Sequence, residues 1–228
     1  MMAVTTLIGA LVLAAPGAAD DKDKAPATIK LFNGKNFEGW KKFSDPNVKA
    51  DPDEVWTVKD GIIVCKGVPN GYIITEKEYG DYVLKVQWRW AKEGDNNKRN
   101  SGVFVHVSGK DKIWPKGVEA QLYRDQAGDF WLVDGFKLKV DEKRQNPKAK
   151  INYYRIDKDK KDIEKPIGEW NQYVITCDGD KIKLEVNGHL ENEGSEAERT
   201  KGKILIQSEG AEIHFRNIEL RPLKAPKS

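Results

Sequence analysis

The stretch from Arg99 to Asp125, RNSGVFVHVSGKDKIWPKGVEAQLYRD, gathers a histidine, a carboxylate, an amide and an indole. A hydrophobic core needs none of these groups. In an extended strand alternate side chains share a face. Glu119, Gln121 and Tyr123 therefore point one way, and Val118, Ala120 and Leu122 the other. The second set is small and apolar, as a core face requires. The first offers a base, an amide and a phenol. In NSGVFVHV the same parity sets Asn100, Gly102, Phe104 and His106 against Ser101, Val103, Val105 and Val107. In VLKVQWRW it sets Val83, Lys85, Gln87 and Arg89 against Leu84, Val86, Trp88 and Trp90.

If these three strands are neighbours, Gln87, Arg89, His106, Glu119 and Gln121 converge on one polar surface suited to sugar hydroxyls. Glu119 or His106 is then the candidate general base. Gln87, Arg89, Asn100, Gln121 and Tyr123 are candidate substrate-binding residues. Trp114, in the loop KDKIWPKG, could stack on a sugar ring or plug the end of a sandwich. Gln207, which alternates with Ile206, and His214 are further groove candidates. A solvated antiparallel face would show the same alternation. Against that reading, Lys is scarce among these groups, and Phe104 and Tyr123 sit among them. The chain carries no local metal-ligand motif; a divalent cation held by a His–Glu pair is the one metal site the residues leave open.

Positioning these residues takes strands. Runs such as GIIVCK, YIIT, DYVLKVQWRW, GVFVHV, VEAQLY, QYVITCD, KIKLEV, KILIQS and EIHFRNIEL alternate at period two and are rich in Val, Ile and aromatics. Asp178-Gly179 and Asn187-Gly188 mark tight hairpins. No long helical periodicity competes. The pattern predicts an all-β jelly-roll sandwich of two antiparallel sheets. Trp56, Trp88 and Trp90 are expected in its core. Residues 134–169, lysine-rich and weakly periodic, read as a long loop excursion from a single domain spanning 28–224.

Charged residues make up 33% of the 228-residue chain, but Lys+Arg at 39 nearly balance Asp+Glu at 36. A net charge of +3, with the basic residues scattered, argues against a nucleic-acid partner. Leu7 to Ala15 is an apolar run too short for a membrane span, and Gly17-Ala18-Ala19 follows with the small residues of a cleavage site. Residues 1–19 thus read as a signal peptide, residues 20–27 as a charged linker, and the protein as exported to a periplasmic or extracellular location. The two cysteines, Cys65 and Cys177, lie in separate strand patterns; an exported protein could pair them, and buried free thiols are the favoured expectation.

Four segments, LFNGKNFEGW (31–40), NSGVFVHVSGKDKIWPKGVEAQL (100–122), GEWNQYVITCDGDKIKLEVNGHL (168–190) and KGKILIQSEGAEIHFRNIEL (201–220), occur in this order along the chain. In them the Asn-Ser-Gly run, the Glu-x-Gln strand and the closing Phe-Arg-Asn-Ile combine. The sequence here resembles the 3-keto-disaccharide hydrolase domain family. The resemblance implies a concanavalin A-like lectin/glucanase sandwich with its site on the concave sheet. It also implies a small carbohydrate substrate, a 3-keto sugar or glycoside. Related glucanases carry alternating carboxylates on that sheet, whereas here Gln121 follows Glu119. Two-carboxylate hydrolysis then lacks its obvious second member. A sugar oxidised at C3 has an acidic C2 proton, whose removal expels the C1 substituent by elimination before water adds. The expected activity is cleavage of a 3-keto glycoside, with Glu119 or His106 as base and Arg89 and Gln121 orienting the substrate. Many members of the family carry Arg where this chain has His106. The alternatives are a non-catalytic carbohydrate-binding module or a cell-surface interaction domain, because the fold serves lectins as readily as enzymes.

Overall fold

The computed structural model describes residues 26–92, 99–144 and 153–223. The signal peptide expected over 1–19, and all but the last two residues of the linker expected over 20–27, lie outside the described residues. The first strands are β1 (Ile29–Lys30), β2 (Trp40–Ser44), β3 (Trp56–Lys59), β4 (Ile62–Cys65), β5 (Gly71–Thr75) and β6 (Tyr79–Gly80). Then come β7 (Tyr82–Trp90), β8 (Arg99–Asn100), β9 (Gly102–Ser108), β10 (Lys116–Gln121), β11 (Phe130–Val133) and β12 (Tyr153–Ile156). The last are β13 (Asn171–Asp178), β14 (Lys181–Val186), β15 (His189–Gly194), β16 (Lys201–Gly210) and β17 (Ile213–Pro222). A four-residue helix, Pro52–Val55, starts on an Asp51 side chain that accepts the Asp53 N–H.

These strands form two antiparallel sheets, as the period-two alternation predicts. The front sheet runs β12-β11-β10-β9-β16-β5-β2, with β6 and β8 pairing β16 at its ends. The back sheet runs β15-β14-β13-β7-β17-β4-β3, with β1 against β17. The main core is shared by the apolar faces of both. Val103, Val105, Val118 and Ala120 of the front sheet meet Leu84, Val86, Trp88, Ile175 and Phe215 of the back sheet. Trp56, Trp88 and Trp90 are buried, as expected. Cys65 and Cys177 are free thiols inside this core, where burial pushes both up to about 12. The β13–β14 and β14–β15 hairpins close at Gly179 and at Asn187-Gly188.

The lysine-rich segment departs from expectation. Its residues 145–152 lie outside the described ones, but Tyr153–Ile156 pair with β11 and make the front sheet's edge. Lys139 also bridges Ser195. An edge strand satisfies its backbone on one side only, so its apolar signature is weak.

A second, smaller cluster lies on the other face of the front sheet, turned away from the core. Tyr72, Ile74, Phe104, Val107, Val133 and Leu205 form it, and Phe43, Trp114 and Trp131 pack against it. Among the described residues no helix is long and apolar enough to cross a membrane.

Candidate active site

The centre of the front sheet's open face lies on β10, β9 and β16. Glu119 on β10 lies beside Phe104 on β9, which lies beside Leu205 on β16. One step along, Gln121 pairs Gly102. Gln207 and Glu209 follow Leu205 at strand spacing and share its face. Gly102 is what brings the flanking groups together. A Cβ there would overlap Glu119 Oε1, so the missing side chain is the seat of the Glu119 carboxyl.

A cleft of about 150 Å³ opens over this seat, lined by Asn100, Trp114, Glu119, Gln121, Trp131 and Glu209, with Val133 at its side. Trp114 reaches it because its loop is tied down on both sides. Asp111 accepts a hydrogen bond from Tyr72 Oη (3.2 Å), and Lys112 pairs with Asp134 (2.6 Å). The polar atoms around the cleft are unusually poor in partners. Among the described residues Glu119 Oε1, Asn100 Oδ1, Trp131 Nε1 and both amide atoms of Gln207 are buried without a hydrogen bond. Leaving such groups unpaired costs about 1–3 kcal/mol each. Their grouping is what a site for a hydroxyl-rich ligand requires.

Both carboxyls of the cleft are held high. Burial, and then the charge of Glu209, push Glu119 well above the usual carboxylate range. Burial alone pushes Glu209 up to about 7. Glu209 loses its proton first, while Glu119 is still neutral and does not repel it. Glu119 must then ionise beside an existing negative charge. Glu209 is therefore the more readily ionised of the two above about pH 7, and Glu119 holds its proton more tightly.

Gln121 is fixed rather than free. Its Oε1 accepts the backbone N–H groups of Leu122 (2.7 Å) and Tyr123 (2.8 Å). That leaves its amide as a pre-set donor. Tyr123 itself lies beyond the end of β10 and does not line the cleft. The turn after it is anchored from the back sheet: Tyr173 Oη crosses the core, donates to the Gln121 carbonyl and accepts the Gly128 N–H. Asp129, buried and pushed up to about 6, holds the far side by accepting from Arg155 Nε (2.9 Å) and Lys158 N (2.8 Å).

Besides Tyr123, three expectations are corrected by this geometry. Gln87 and Arg89 do face away from the core, but β7 pairs β13 and β17 in the back sheet. Parity within a strand fixes a face, not a sheet. There Gln87 accepts from Arg216 and Asn217, and Arg89 Nε donates to His214 Nδ1 (3.2 Å). His214 therefore also lies outside the cleft. The third correction is His106, which does not line the cleft. Strand β9 carries an extra residue relative to both neighbours between Phe104 and Ser108, and His106 has φ +55°. This bulge breaks the alternation. Val107, not His106, joins Phe104 on the open face. His106 is buried with Nδ1 2.7 Å from the Arg199 carbonyl, and burial lowers its pKa.

Asn100, Trp114, Glu119 and Gln121 are thus brought together as the sequence predicts, with Gln207 buried on the same face. Glu209 and Trp131 were not among the candidates. Glu209 was within reach of the parity argument, two positions after Gln207. Trp131 sits in a short strand, FWLV, with no alternation to read. Among the described residues no group of three or more His, Cys, Asp or Glu is placed to hold a metal.

The 3-keto-α-glucoside-1,2-lyase-like domain matches residues 27–221, which takes in both sheets and every residue of the cleft. The chain belongs to this family. A 3-keto-disaccharide hydrolase of Bacteroides thetaiotaomicron is 28% identical over 167 residues, 66% of this chain and 52% of that protein. The chain spans about half the length of that relative. A crystal structure from Parabacteroides distasonis, provisionally named a glycosyl hydrolase, superposes with a TM-score of 0.62 at 26% identity. It covers 86% of this chain and 94% of its own. The Bacillus licheniformis β-glucanase superposes with a TM-score of 0.54 at 14% identity, over 89% of this chain and all of its own (100%). That likeness shows the concanavalin A-like jelly-roll fold.

Proposed function

We propose that this chain is an exported carbohydrate-active enzyme that cleaves the glycosidic bond of a 3-keto glycoside in the cleft over Gly102. The observation that carries the reading is the pair of carboxyls in the cleft, buried Glu119 and half-buried Glu209, both held above the usual carboxylate range beside unpartnered hydrogen-bonding groups. The C3 ketone of such a substrate acidifies the proton on C2. Glu209, ionised near neutrality, takes that proton, and the electron pair moves into the enolate. Collapse of the enolate forms the C1–C2 double bond and breaks the bond from C1 to the glycosidic oxygen. Neutral Glu119 supplies the proton that the departing oxygen needs. The donors aimed at the ketone oxygen are the Gln121 and Gln207 amides and the Trp131 indole N–H. Water then adds across the double bond at C1. The base is Glu209 in this reading, in place of the Glu119 or His106 expected from sequence.

The pH profile follows from the same pair. Glu209 must be ionised, so the rate rises with pH through about 7. Glu119 must keep its proton, so the rate falls again where that group ionises. The test is release of the C1 group from a 3-keto glycoside and from its unoxidised parent, each followed across pH. Turnover of the 3-keto compound alone, with an acidic limb near neutrality that vanishes in Glu209→Gln, is expected. Equal cleavage of the parent would overturn the elimination, and binding without turnover would make the domain a carbohydrate-binding module.

A further inference from the structure

The groups that the corrected site leaves behind form an assembly of their own on the outer face of the back sheet. The guanidiniums of Arg89 and Arg216 both lie over the ring of Trp170, at 4.6 and 4.0 Å from its centroid. Among the described residues each is hydrogen-bonded through Nε alone. Arg89 donates to His214 Nδ1 (3.2 Å), and Arg216 donates to Gln87 Oε1 (2.8 Å). An Nε–H can only donate, so His214 Nδ1 accepts, and its Nε2 faces Glu212 Oε1 at 2.8 Å. The nearby carboxylate is thereby committed to the imidazole. Among the described residues neither arginine meets a carboxylate. Two like charges held against one ring repel each other, and the indole face offsets this only in part.

Beside Arg89 lies a cavity of about 360 Å³, lined also by Lys92, Gly168, Glu212 and His214. That volume falls in the range of small-molecule sites. The Lys92 stem packs over Gly168 at the rim, where a Cβ would meet it. The cavity is thus flanked by a fixed guanidinium fork and an ammonium, with the Glu212 carboxylate turned to His214 and a second guanidinium sharing the Trp170 ring. A guanidinium whose Nε is already used presents its remaining N–H groups as a planar fork matched to a carboxylate.

We propose that this cavity binds the carboxylate of an acidic saccharide, at a site separate from the cleft on the front sheet. The carboxylate takes the free edge of Arg89 and the Lys92 ammonium, and the sugar ring fills the remaining volume. The proposal does not depend on the chemistry of the cleft.

Titration calorimetry at constant ionic strength tests it with sodium glucuronate, sodium acetate and glucose. Glucuronate is expected to bind, glucose not to, and acetate to bind at least tenfold more weakly than glucuronate. Arg89→Ala should weaken glucuronate at least tenfold, and Lys92→Ala severalfold, while 3-keto glycoside turnover stays at the wild-type level in both. Lys92 is exposed, so its variant keeps the test open if Arg89→Ala does not fold. Glucose binding as well as glucuronate would overturn the anion recognition. Acetate matching glucuronate would overturn the saccharide. Glucuronate binding that survives both variants but is lost in Glu119→Gln would place the ligand in the cleft and overturn the second site.

Discussion

The open face of the front sheet and the outer face of the back sheet arise from the same kind of alternation, yet they end in different electrostatic states. On the back sheet the polar groups satisfy one another: Gln87 with Arg216 and Asn217, Arg89 with His214, His214 with Glu212. Its positive charge is that of two guanidiniums held against one indole. On the front sheet several polar atoms of the cleft are buried without a partner, and its two carboxyls are held above the usual carboxylate range. The first arrangement offers fixed positive charge; the second offers two carboxyls with nothing but each other to answer their protons. A polar strand face is therefore common to both, and burial without partners separates them.

The sharpest way to break this contrast is Glu209→Gln, which keeps size and hydrogen bonding but removes the base. Turnover of a 3-keto glycoside should fall on the order of 10²–10⁴-fold, measured on protein whose circular dichroism is unchanged. The same variant has a stability signature. The folded pKa of about 7 lies above that of an unfolded Glu, so the folded state binds the proton more tightly. The stability this contributes is complete below the unfolded pKa and is lost as pH rises through about 7. Against wild type, Glu209→Gln should gain up to roughly 3 kcal/mol between pH 4 and pH 9 in urea unfolding. No gain would mean that Glu209 is ordinarily solvated.

Next in size is Gly102→Ala. The added methyl must displace the Glu119 carboxyl, and a shift of about 1 Å at a reacting group costs around 10²-fold in rate. Wild-type turnover in this variant would show that Glu119 is not seated there. Tyr173→Phe should lower unfolding free energy by about 1 kcal/mol, since the Gln121 carbonyl and the Gly128 N–H then keep only their long bond to each other (3.4 Å). The smallest effect is expected at His106. His106→Asn keeps a residue tolerant of positive φ, and it should leave turnover per folded molecule unchanged. A collapse of turnover in that variant would return the base to His106.

The sandwich was legible in the sequence because β-branched and aromatic residues at period two dictate half-buried strands. The sequence also held half of the cleft, since Glu119 and Gln121 lie on a regular strand whose other face is plainly apolar. What it could not carry is anything set by pairing between strands. The sheet to which β7 belongs depends on contacts with β13 and β17, far along the chain. The bulge at His106 is a property of three strands in register, with no local turn residue to announce it. Glu209 was hidden for a different reason: a glutamate near a strand end looks like surface until its burial is known.

Tyr173 gives the cleft a mechanical reference. Stacked on Trp88 at 5.0 Å in the back sheet, it clamps the turn that begins at Gln121 in the front one. Sliding one sheet past the other would have to break both of its hydrogen bonds at once, inside the core. The sandwich is therefore stiff against shear at the end where Glu119 sits. Its alignment is inherited from a strand that never touches the cleft. Local fraying cannot release the Gly128 amide, so its hydrogen should exchange with solvent only as fast as the whole domain opens.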